Sequence, residues 1–313
     1  MKAMILAAGK GTRLLPLTGL RPKPLLPVYN TPILDLTINQ LKQTGAKDII
    51  INTHHLTQKF NTYFQENTSS GINITLSYEP DLLGTAGAIK NVEEFWDSQP
   101  FIVINGDIIH TIDLHAAYQN HIKNGNLATL ILHQHPRYNQ VEIDNEGNIV
   151  AIREERVRET FSPTHRLAFT GIHIISPQLL MEIPPNRYVD IISVYLQLIS
   201  RGMKICGYQV EKHYWLDIGT IMDYHRIHQD IHQKKITLNH LSPRAESSSI
   251  DKNTIFDGYV CAGENTIIGK NCTIKNSILW DEVEVHDNIT IEECIIGDRV
   301  KVKQSLKNKV VVG

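Results

Sequence analysis

Short apolar runs alternate with stretches of helical periodicity over about the first 135 residues of the chain. The runs are continuous rather than alternately apolar and polar, which is typical of strands buried on both faces of a parallel sheet. They predict strands over residues 4–8, 48–52, 72–78 and 101–105. The helical stretches between them suit the crossover connections that parallel strands need. This part of the chain is therefore predicted to have the α/β fold class, with a doubly wound sheet.

The first long helix is marked at both of its ends. Thr31 can cap the N-terminus, Pro32 suits the first helical position, and Gly45 can end the helix. The apolar residues between them recur on one face, as an amphipathic helix requires.

The next part of the chain continues the mixture of strands and helices. Apolar runs predict strands over 127–133, 168–175 and 204–210, and helical periodicity predicts helices near 188–201 and 220–235. We expect these elements to extend the same sheet and to add a lid over it.

From Ile250 onward the apolar period changes to six residues. Residues 272–285 also realign with residues 289–302 after 17 positions, as expected for a coil of three faces shortened by one position. This hexapeptide repeat predicts roughly three coils of a parallel β-helix. The repeating positions are Ile250, Phe256, Ala262, Ile268 and Ile274, followed at a distance of four by Thr254, Val260, Thr266, Cys272 and Ile278.

A composition shift separates the repeat from the part before it. Residues 236–249 contain Pro243 and a Glu-Ser-Ser-Ser run, which is typical of a linker. The predicted division is a domain over 1–235, a linker over 236–249 and a β-helix domain over 250–313. Such stacks usually support assembly, so we expect a homo-oligomer formed through the β-helix.

Composition places the chain among ordinary globular proteins, with 42% hydrophobic and 20% charged residues in a length of 313. The formal net charge is -2 and there is no long basic run, which argues against nucleic acid and anionic membranes as partners. The N-terminal apolar run ends at Gly9 and Lys10, too soon for the core of a signal peptide. We therefore expect a cytoplasmic protein without a membrane span whose ligand is a small anion.

The cysteines and histidines give no pattern of a metal site. The four cysteines lack C-x-x-C spacing, so buried reduced thiols are expected at Cys206, Cys261, Cys272 and Cys294. Three histidines share one side of the helix predicted near 220–235, but polar residues surround them. We therefore expect these histidines, His225, His228 and His232, on a solvated surface.

The first predicted strand runs directly into a glycine-rich turn and then to two spaced cations. Gly9 and Gly11 let the backbone turn tightly and bring N–H groups close to phosphate oxygens. Arg13 offers a planar fork for two oxygens, and Lys23, between two prolines, offers a compact charge on a stiffened loop. The pattern predicts a triphosphate site in which the two cations contact different phosphates.

This turn is neither of the common nucleotide motifs, because Leu14 replaces the third glycine of G-x-G-x-x-G and the P-loop order is absent. Instead, six ordered segments resemble the sugar-1-phosphate nucleotidyltransferases, the nucleotide-sugar pyrophosphorylases. The segments are LAAGKGTRL (6–14), PKPLLPV (22–28), EPDLLGTAGAIK (79–90), NGDI (105–108), FTGIHII (169–175) and WLDIGT (215–220). The resemblance implies a Rossmann-like doubly wound mixed sheet as catalytic domain and a left-handed β-helix.

Two aspartates are candidate metal ligands. Asp107 follows an apolar strand at the carboxyl end of the sheet, where ligands of such folds bind, although a Gly-Asp pair there can equally be a turn. Asp217 lies between aromatic and apolar residues, a costly place for an unpaired charge. In the family the matching aspartates hold Mg²⁺ against the phosphates. The resemblance then implies that Arg13 holds the β- and γ-phosphates and that Lys23 holds the α- or sugar phosphate.

Further nucleotide contacts follow from the resemblance, and Glu79 matches the position that reads the nucleobase. A carboxylate only accepts hydrogen bonds, and guanine offers two adjacent donors whereas uracil or thymine offers one, so GTP is favoured. The alternative is an exposed loop acid, since Gly84 and Gly87 would serve any base. The nucleotide-binding candidates are Leu6, Ala7, Ala8, Gly9, Gly11, Thr12, Arg13, Glu79, Gly84, Thr85 and Gly106.

The sugar pocket departs from the family pattern. Many relatives carry Glu-Lys-Pro after the middle strand, whereas this chain reads IREERVRETF at 152–161 and lacks the lysine. Glu154 can keep the role of the sugar-contacting acid, with Gly171 and Asp190 as further candidates. Either one of four arginines replaces the lysine, or the loop is a solvated charged turn. The four are Arg153, Arg156, Arg158 and Arg166.

The LLGTAGAIK segment and the short β-helix together look most like mannose-1-phosphate guanylyltransferases. UTP- or dTTP-using enzymes for glucose, heptose or N-acetylmuramate 1-phosphate are alternatives. A catalytically silent regulatory paralogue would have lost one of the four key charged residues, and all four are present. A β-helix acyltransferase usually needs more coils and a histidine, and only His286 lies within the repeats.

Overall fold

The computed structural model describes residues 1–67, 71–153, 155–156, 165–238 and 241–313, without the side chain of Arg156. These residues form two compact units. The sheet unit comprises Met1–Gly9 and Thr37–Trp215, and the β-helix unit comprises Lys10–Leu36 and Leu216–Gly313. The β-helix unit thus contains a segment from the N-terminal part of the chain, Lys10–Leu36, that includes both predicted phosphate-binding cations.

The strands, in chain order, are as follows. They are β1 (Lys2–Leu6), β2 (Pro27–Val28), β3 (Thr31–Pro32), β4 (Asp48–Thr53), β5 (Asn73–Tyr78), β6 (Phe101–Asn105), β7 (Ile108–His110), β8 (Ala128–His133), β9 (Asn139–Ile143), β10 (Ile149–Ile152), β11 (Glu155–Arg156), β12 (His165–Ile175), β13 (Ile205–Gln209), β14 (Trp215–Asp217), β15 (Ser249–Ile250), β16 (Ile255–Ala262), β17 (Ile267–Ile268), β18 (Thr273–Leu279), β19 (Glu284–Val285), β20 (Thr290–Glu292), β21 (Ile295–Ile296), β22 (Lys301–Val302), β23 (Leu306–Lys307) and β24 (Val310–Val311).

The α-helices are fewer, and short 3₁₀ turns accompany them. The helices are α1 (Leu17–Leu20), α2 (Ile33–Gln43), α3 (Thr57–Glu66), α4 (Gly84–Asn91), α5 (Leu114–Asn124), α6 (Ile191–Ser200) and α7 (Ile221–His232). The 3₁₀ turns are Thr12–Leu14, Lys23–Leu25, Glu93–Phe95 and Pro177–Glu182. Among the described residues, no helix combines the length and the apolar character needed to cross a membrane.

The sheet unit has the mixed sheet that the sequence predicts. Its strand order is β11-β10-β9-β12-β6-β1-β4-β5, with β8 and β13 attached beside β12. The strands β6, β1, β4 and β5 pair in parallel, whereas β12 is antiparallel to β6. The core lies between this sheet and helices such as α6, whose Tyr195 is fully buried together with Met4 and Val103.

The register places the ends of the two central strands side by side. Leu6 at the end of β1 pairs with Asn105 at the end of β6. Just beyond, the N–H of Gly106 donates a hydrogen bond to the carbonyl oxygen of Leu6 at 2.9 Å. The carboxyl edge of the sheet unit, where the nucleotide is expected, is therefore built from the turns that follow these strands.

The start of the first long helix differs from the prediction. Thr31 and Pro32 form strand β3, which pairs with β2 as an antiparallel hairpin, and α2 begins at Ile33. The hairpin turn consists of Tyr29 and Asn30, whose φ angles of 48° and 63° are both positive, as in a type I′ turn. Tyrosine is uncommon at such a position, so a hairpin is not evident there from the sequence.

The β-helix unit confirms the hexapeptide repeat and its coil length. Strands β15, β17, β19 and β22 stack in parallel on one face. Glu284 pairs with Lys301, and Thr273 pairs with Thr290, each at the predicted spacing of 17 residues. The interior holds the predicted apolar positions, including Ile268, which is buried. The left-handed sense of the coil stays a prediction.

The four cysteines are all buried and free, as predicted. Of the α7 histidines that were predicted on a solvated surface, His232 is exposed as predicted, whereas His225 and His228 are not on such a surface. His228 is fully buried and stacks on Tyr29, with ring centroids 5.4 Å apart, and its Nδ1 lies 3.2 Å from Cys261 Sγ. His225 Nδ1 lies 2.8 Å from the Tyr259 hydroxyl. Tertiary packing thus gives the His225 and His228 rings partners on other elements, which helical periodicity alone does not predict.

Candidate active site

The glycine-rich turn is fixed within the β-helix unit by Gly11 and Thr18. Gly11 has φ +61°, and a Cβ at this position would lie 2.8 Å from Thr18 Cγ2. The Thr18 hydroxyl donates a hydrogen bond to the Gly11 carbonyl oxygen at 2.9 Å. A side chain at Gly11 would therefore break both the backbone conformation and this contact. The turn leads directly into the 3₁₀ turn that carries Arg13.

Arg13 and Lys23 converge on the WLDIGT segment in the same unit. The Arg13 guanidinium lies against the backbone of Gly219, since a Cβ there would be 3.1 Å from Nη1 and Nη2. Lys23 Nζ lies 3.4 Å from Asp217 Oδ1. The Lys23 side chain is only 10% exposed, whereas that of Asp217 is 30% exposed and so remains open to a ligand. Two cations and one carboxylate are thus brought together from distant parts of the sequence.

The turn after Asp217 is held by a helix cap. The Thr220 side chain accepts a hydrogen bond from the N–H of Asp223, and its hydroxyl donates to Asp223 Oδ2 at 2.7 Å. Ile218 is fully buried beside it. The backbone that carries Asp217 is therefore fixed by the start of α7, and sequence analysis did not identify Thr220 or Asp223 as part of the site.

In the sheet unit, Glu79 lies in a buried chain of hydrogen bonds. Asn52 Oδ1 accepts from the N–H of Ala7 at 2.8 Å, and Asn52 Nδ2 donates to Glu79 Oε1 at 2.7 Å. Glu79 Oε2 accepts from the N–H of Leu83 at 3.2 Å. Glu79 is 1% exposed, so the alternative of an exposed loop acid is wrong. These hydrogen bonds connect the turn after β1 with the segment that precedes α4.

Sequence analysis missed Asn52 altogether. The available signal was a single polar residue at the end of the apolar run DIIIN, in the strand next to β1. A buried amide at such a position needs partners, and the only predicted acid on the neighbouring strand end was Glu79.

The two glycines of the LGTAG segment are required by close packing inside the sheet unit. A Cβ at Gly84, which has φ +70°, would lie 2.6 Å from the Val189 carbonyl oxygen. A Cβ at Gly87 would lie 2.6 Å from the Arg187 carbonyl oxygen. The first turn of α4 thus approaches the backbone of residues 187–189 directly, and Thr85 is half-buried between them. These glycines have a packing role independent of any base.

Asp107 lies at the carboxyl edge of the sheet unit, two residues beyond the end of β6. It is half-buried, and its Oδ1 is shielded from solvent. In the described residues, no three His, Cys, Asp or Glu side chains are grouped so that they could hold a metal ion.

The sugar-pocket candidates of the sheet unit have structural contacts of their own. Gly171 has φ +81°, and a Cβ there would lie 2.6 Å from Asn105 Nδ2. Asp190 caps α6, since its carboxylate accepts from the N–H of Ser193 at 3.3 Å. The lack of a side chain at Gly171 therefore leaves room for the Asn105 amide to pack against β12. Asp190 stabilises the N-terminus of the largely buried helix α6.

The arginine candidates are spread over the described and undescribed parts of the chain. Arg166 lies 3.9 Å from Glu142 on the neighbouring strand β9 and is largely exposed. Arg153 is exposed at a turn with φ 51°. Glu154 and Arg158 lie outside the described residues, as does the side chain of Arg156.

A cluster of histidines in the sheet unit was also missed. His133 Nδ1 lies 3.0 Å from His213 Nε2, and the His133 ring packs edge-on against Trp215 at 4.8 Å. Burial lowers the pKa of His133 to about 4, with a further contribution from His213. Burial likewise lowers the pKa of His110 to about 3. These rings are therefore neutral at physiological pH.

Comparison with known proteins identifies the family. The Nucleotidyl transferase family matches residues 2–234, and the GMPPB C-terminal domain matches residues 243–313. The UTP–glucose-1-phosphate uridylyltransferase of Synechocystis is 32% identical over 72% of this chain and 61% of its own length. The chain therefore spans less than two thirds of that relative.

Other relatives are covered more fully. The N-acetylmuramate alpha-1-phosphate uridylyltransferase of Neisseria meningitidis is 34% identical over 71% of this chain and 94% of the relative. The mannose-1-phosphate guanylyltransferase of Mycobacterium tuberculosis is 29% identical over 90% of this chain and 80% of the relative.

A solved structure has the same fold. It is described as a glucose-1-phosphate thymidylyltransferase from Bacillus anthracis, and it has a TM-score of 0.64 at 25% identity. The match covers 77% of this chain and 98% of that one. With a family match over most of its length, the chain belongs to the nucleotidyl transferase family, in its sugar-1-phosphate nucleotidyltransferase branch.

Proposed function

We propose that the protein transfers GMP from GTP to mannose 1-phosphate, giving GDP-mannose and pyrophosphate, with Mg²⁺ as cofactor. The observation that carries the proposal is the grouping of Arg13 and Lys23 around Asp217 and Gly219. Two cations beside a carboxylate suit a triphosphate and the metal that accompanies it. Because the reaction joins two anions, its barrier is largely electrostatic and positional, and these charges lower it.

The reaction is an in-line displacement at the α-phosphorus of the triphosphate. A phosphate oxygen of the sugar 1-phosphate forms the new P–O bond as the bond to the bridging oxygen of pyrophosphate breaks on the opposite side. No covalent enzyme intermediate is needed. Arg13 is exposed and forked, and we assign it to the leaving β- and γ-phosphates. Lys23 is assigned to the α-phosphate or the sugar phosphate.

Asp107 and Asp217 are the residues that would hold the metal. Both are half-buried carboxylates, which are the hard oxygen donors that Mg²⁺ prefers while it keeps several waters. The absence of a larger ligand group among the described residues fits an ion bound mainly through substrate phosphates. When bound, Mg²⁺ neutralises phosphate charge that builds up during the displacement.

The nucleotide is assigned to three stretches of backbone and to Glu79. The stretches are the turns after β1 and β6 together with the start of α4. In full, the proposed contacts are Leu6, Ala7, Ala8, Gly9, Gly11, Thr12, Arg13, Glu79, Gly84, Thr85 and Gly106. Each Glu79 oxygen already accepts one hydrogen bond. A carboxylate has about four acceptor sites, so about two remain for a guanine edge.

The sugar phosphate is assigned to Lys23 and the sugar hydroxyls to Glu154, Gly171 and Asp190. The chain lacks the lysine of the Glu-Lys-Pro motif, and Arg166, one of the four arginines that could replace it, is an exposed residue beside Glu142. Lys23 is nearly buried and close to Asp217, which supports a larger share of the sugar-phosphate contact for Lys23. The choice of mannose rests on the match to the GMPPB C-terminal domain and to the mycobacterial relative.

A uridylyl or thymidylyl transfer to another sugar phosphate is the second candidate. It is favoured by the Synechocystis and Neisseria relatives, whose names specify glucose and N-acetylmuramate phosphates. The two remaining alternatives have less support. A silent regulatory paralogue would lack one of the key charges, and acyl transfer would fall to His286, a half-exposed residue 3.9 Å from Glu284.

The remaining expectations belong to the same proposal. The chain divides into a catalytic domain over 1–235, a linker over 236–249 and a β-helix over 250–313, and the family matches at 2–234 and 243–313 support this division. We propose a cytoplasmic homo-oligomer assembled through the β-helix, acting on small molecules without nucleic acid or membrane partners.

A substrate matrix tests the proposal. Five nucleoside triphosphates are combined with mannose, glucose, heptose and N-acetylmuramate 1-phosphates, and pyrophosphate release is measured with Mg²⁺. The highest kcat/KM is expected for GTP with mannose 1-phosphate. A preference for UTP or dTTP would transfer the assignment to the second candidate. A lack of pyrophosphate release with every substrate pair would contradict the proposal. Consumption of acetyl-coenzyme A in place of pyrophosphate release would contradict it as well.

A further inference from the structure

The segment that carries Lys23 is tied to the coils of the β-helix by Arg21. Arg21 Nε donates to Asp298 Oδ2 at 3.0 Å, and Nη2 donates to Asp298 Oδ1 at 2.5 Å. Nη2 also donates to Asp281 Oδ2 at 2.6 Å. A bidentate arginine with a second carboxylate is both strong and directional. Arg21 lies only two residues before Lys23 in the sequence.

The two acids belong to successive coils and are themselves fixed. Asp281 and Asp298 are 17 residues apart, which is the coil repeat. Asp298 Oδ1 also accepts from the N–H of Asp281 at 3.2 Å, and Asp281 Oδ1 accepts from the N–H of Glu264 at 2.8 Å. The acids are therefore anchored to coil backbone, so Arg21 is held by a rigid surface rather than by mobile side chains.

An aromatic contact adds a second attachment. The Arg21 guanidinium lies 5.0 Å from the ring centroid of Trp280, which is 1% exposed. Trp280 Nε1 donates to the Tyr224 hydroxyl at 3.2 Å, and that hydroxyl donates to the Pro27 carbonyl oxygen. The β-helix thus holds Arg21 directly, and it holds Pro27, on the other side of Lys23, through Tyr224 of α7.

A third attachment follows at the hairpin turn. Asn30 Nδ2 donates to the Ala262 carbonyl oxygen at 2.9 Å and to the Ser242 carbonyl oxygen at 3.1 Å. Leu20 packs on the coil at Gly297, where a Cβ would lie 3.2 Å from Leu20 Cδ1. The coils therefore contact this segment near both of its ends, at Leu20 and Arg21 and again at Asn30.

We infer that Arg21 is a positioning residue for nucleotidyl transfer, through which the β-helix sets the place of Lys23. This inference rests on the proposed function, because it needs Lys23 to contact a phosphate. It gives the β-helix a role within each chain in addition to any role in assembly. A displacement of about 1 Å in a charged group of this kind costs up to about a hundredfold in rate.

The test compares Arg21→Ala and Asp298→Ala with a matched control, Arg299→Ala. Arg299 lies next to Asp298 in the sequence, and its guanidinium pairs with Glu282 on the β-helix at 3.1 Å. The control removes an arginine–carboxylate pair of the same coil repeat without touching residues 20–30. Arg21→Lys is added because it keeps the charge and loses the bidentate geometry.

The first readout is independent of activity. Hydrogen–deuterium exchange is measured by mass spectrometry on peptides that cover residues 17–30 of the full chain. Exchange in these peptides is expected to rise at least about tenfold in Arg21→Ala and Asp298→Ala and to stay unchanged in Arg299→Ala. Unchanged exchange in Arg21→Ala would overturn the inference.

The second readout is steady-state kinetics by pyrophosphate release. We expect kcat to fall by about tenfold to a hundredfold in Arg21→Ala, with a smaller change in KM, and an intermediate loss in Arg21→Lys. The double variant Arg21→Ala/Asp298→Ala should lose less than the two single losses combined, since both single variants remove the Arg21–Asp298 link. Wild-type kcat in Arg21→Ala, or additive losses, would overturn the inference.

The two readouts separate this inference from the proposed function. If the wild-type chain released no pyrophosphate with any substrate pair, the proposed function would fail, and the exchange measurement alone would still decide whether Arg21 holds the segment. If Arg21→Ala or Asp298→Ala loses its cooperative thermal transition, Asp298→Asn is used instead. This change keeps the size of the side chain and removes only the charge that pairs with Arg21.

Discussion

Lys23 Nζ lies 3.4 Å from the Asp217 carboxylate, although 194 residues separate them in the chain. Lys23 is an early cation between two prolines, and Asp217 is the last residue of β14. The two residues lie together because the β-helix unit contains both Lys10–Leu36 and Leu216–Gly313. A partly buried pair of opposite charges restrains both side chains.

Replacing Lys23 by methionine should remove most of the activity. The apolar stem of the side chain is kept and only the charge is lost, so the fold should survive. We expect kcat/KM to fall by about a hundredfold or more, as for other charges that stabilise a phosphoryl-transfer transition state. Pyrophosphate release checks this. Lys252→Met, at an exposed loop of the same unit, is the control and should keep its activity.

Asp107→Asn should abolish turnover while the thermal transition stays within a few degrees of that of the wild type. Asparagine has the same size but no charge to hold a divalent cation. The matched control is Asp257→Asn, which breaks only an exposed ion pair with Lys275. Both variants are assayed over a range of Mg²⁺ concentrations. Full activity of Asp107→Asn at every concentration would refute the metal assignment.

Glu79→Gln should lower both stability and nucleotide binding. Glutamine has one acceptor oxygen in place of two, so either Asn52 or the Leu83 N–H loses its partner in a site that is 1% exposed. A buried group left without its hydrogen bond costs about 1–3 kcal/mol of unfolding free energy, which urea unfolding can measure.

Nucleotide KM values separate the two roles of Glu79. If its carboxylate reads guanine, the KM for GTP rises more than the KM for UTP in Glu79→Gln. Equal rises in the KM for GTP and the KM for UTP would show that Glu79 does not read the base and only holds the contact with Asn52. Asn52→Ala serves as the comparison, because it breaks the same chain of hydrogen bonds without removing the carboxylate.

Acid should destabilise the protein through its buried histidines. His110 and His133 have pKa values of about 3 and about 4, lowered from 6.5 mainly by burial. Below pH 6.5 the unfolded chain binds protons that the folded chain does not, so stability is complete above that pH and is lost as the pH falls toward 4. Each group contributes a slope of about 1.4 kcal/mol per pH unit in this window.

Urea unfolding at pH values from 5 to 8 measures this loss. His133→Gln should reduce the slope by about 1.4 kcal/mol per pH unit, since the replacement does not titrate while His110 still does. The exposed His115→Gln should leave it unchanged. Equal stability of the wild type at pH 5 and at pH 8 would contradict the account of these buried rings.

The elements that the sequence predicted well are those with a local cause. The continuous apolar run before Asn105 was enough for β6, and the period of six was enough for the coils. Both patterns record which side chains are buried, and burial repeats regularly in a strand or a coil. The sequence also indicated Arg13, Lys23 and Asp217 as candidates, because their segments resemble a family with ordered motifs, and the structure places them near one another.

The missed features depend on residues far apart in the chain. Nothing near Arg21 indicates that Asp298 will hold it, and nothing near Asn52 indicates that Glu79 will. The buried His228 is similar, since its partners Tyr29 and Cys261 lie on other elements. A polar side chain inside a protein is explained by its partner, and only the tertiary fold supplies that partner.

The most direct test of nucleotidyl transfer is a phosphorus NMR balance of the wild-type reaction with Mg²⁺, GTP and mannose 1-phosphate. One GDP-mannose and one pyrophosphate should form for each GTP consumed, with no reaction when the sugar phosphate is omitted. Hydrolysis of GTP without the sugar phosphate, or the lack of any nucleotide-sugar with every sugar 1-phosphate and triphosphate tried, would contradict the proposed activity.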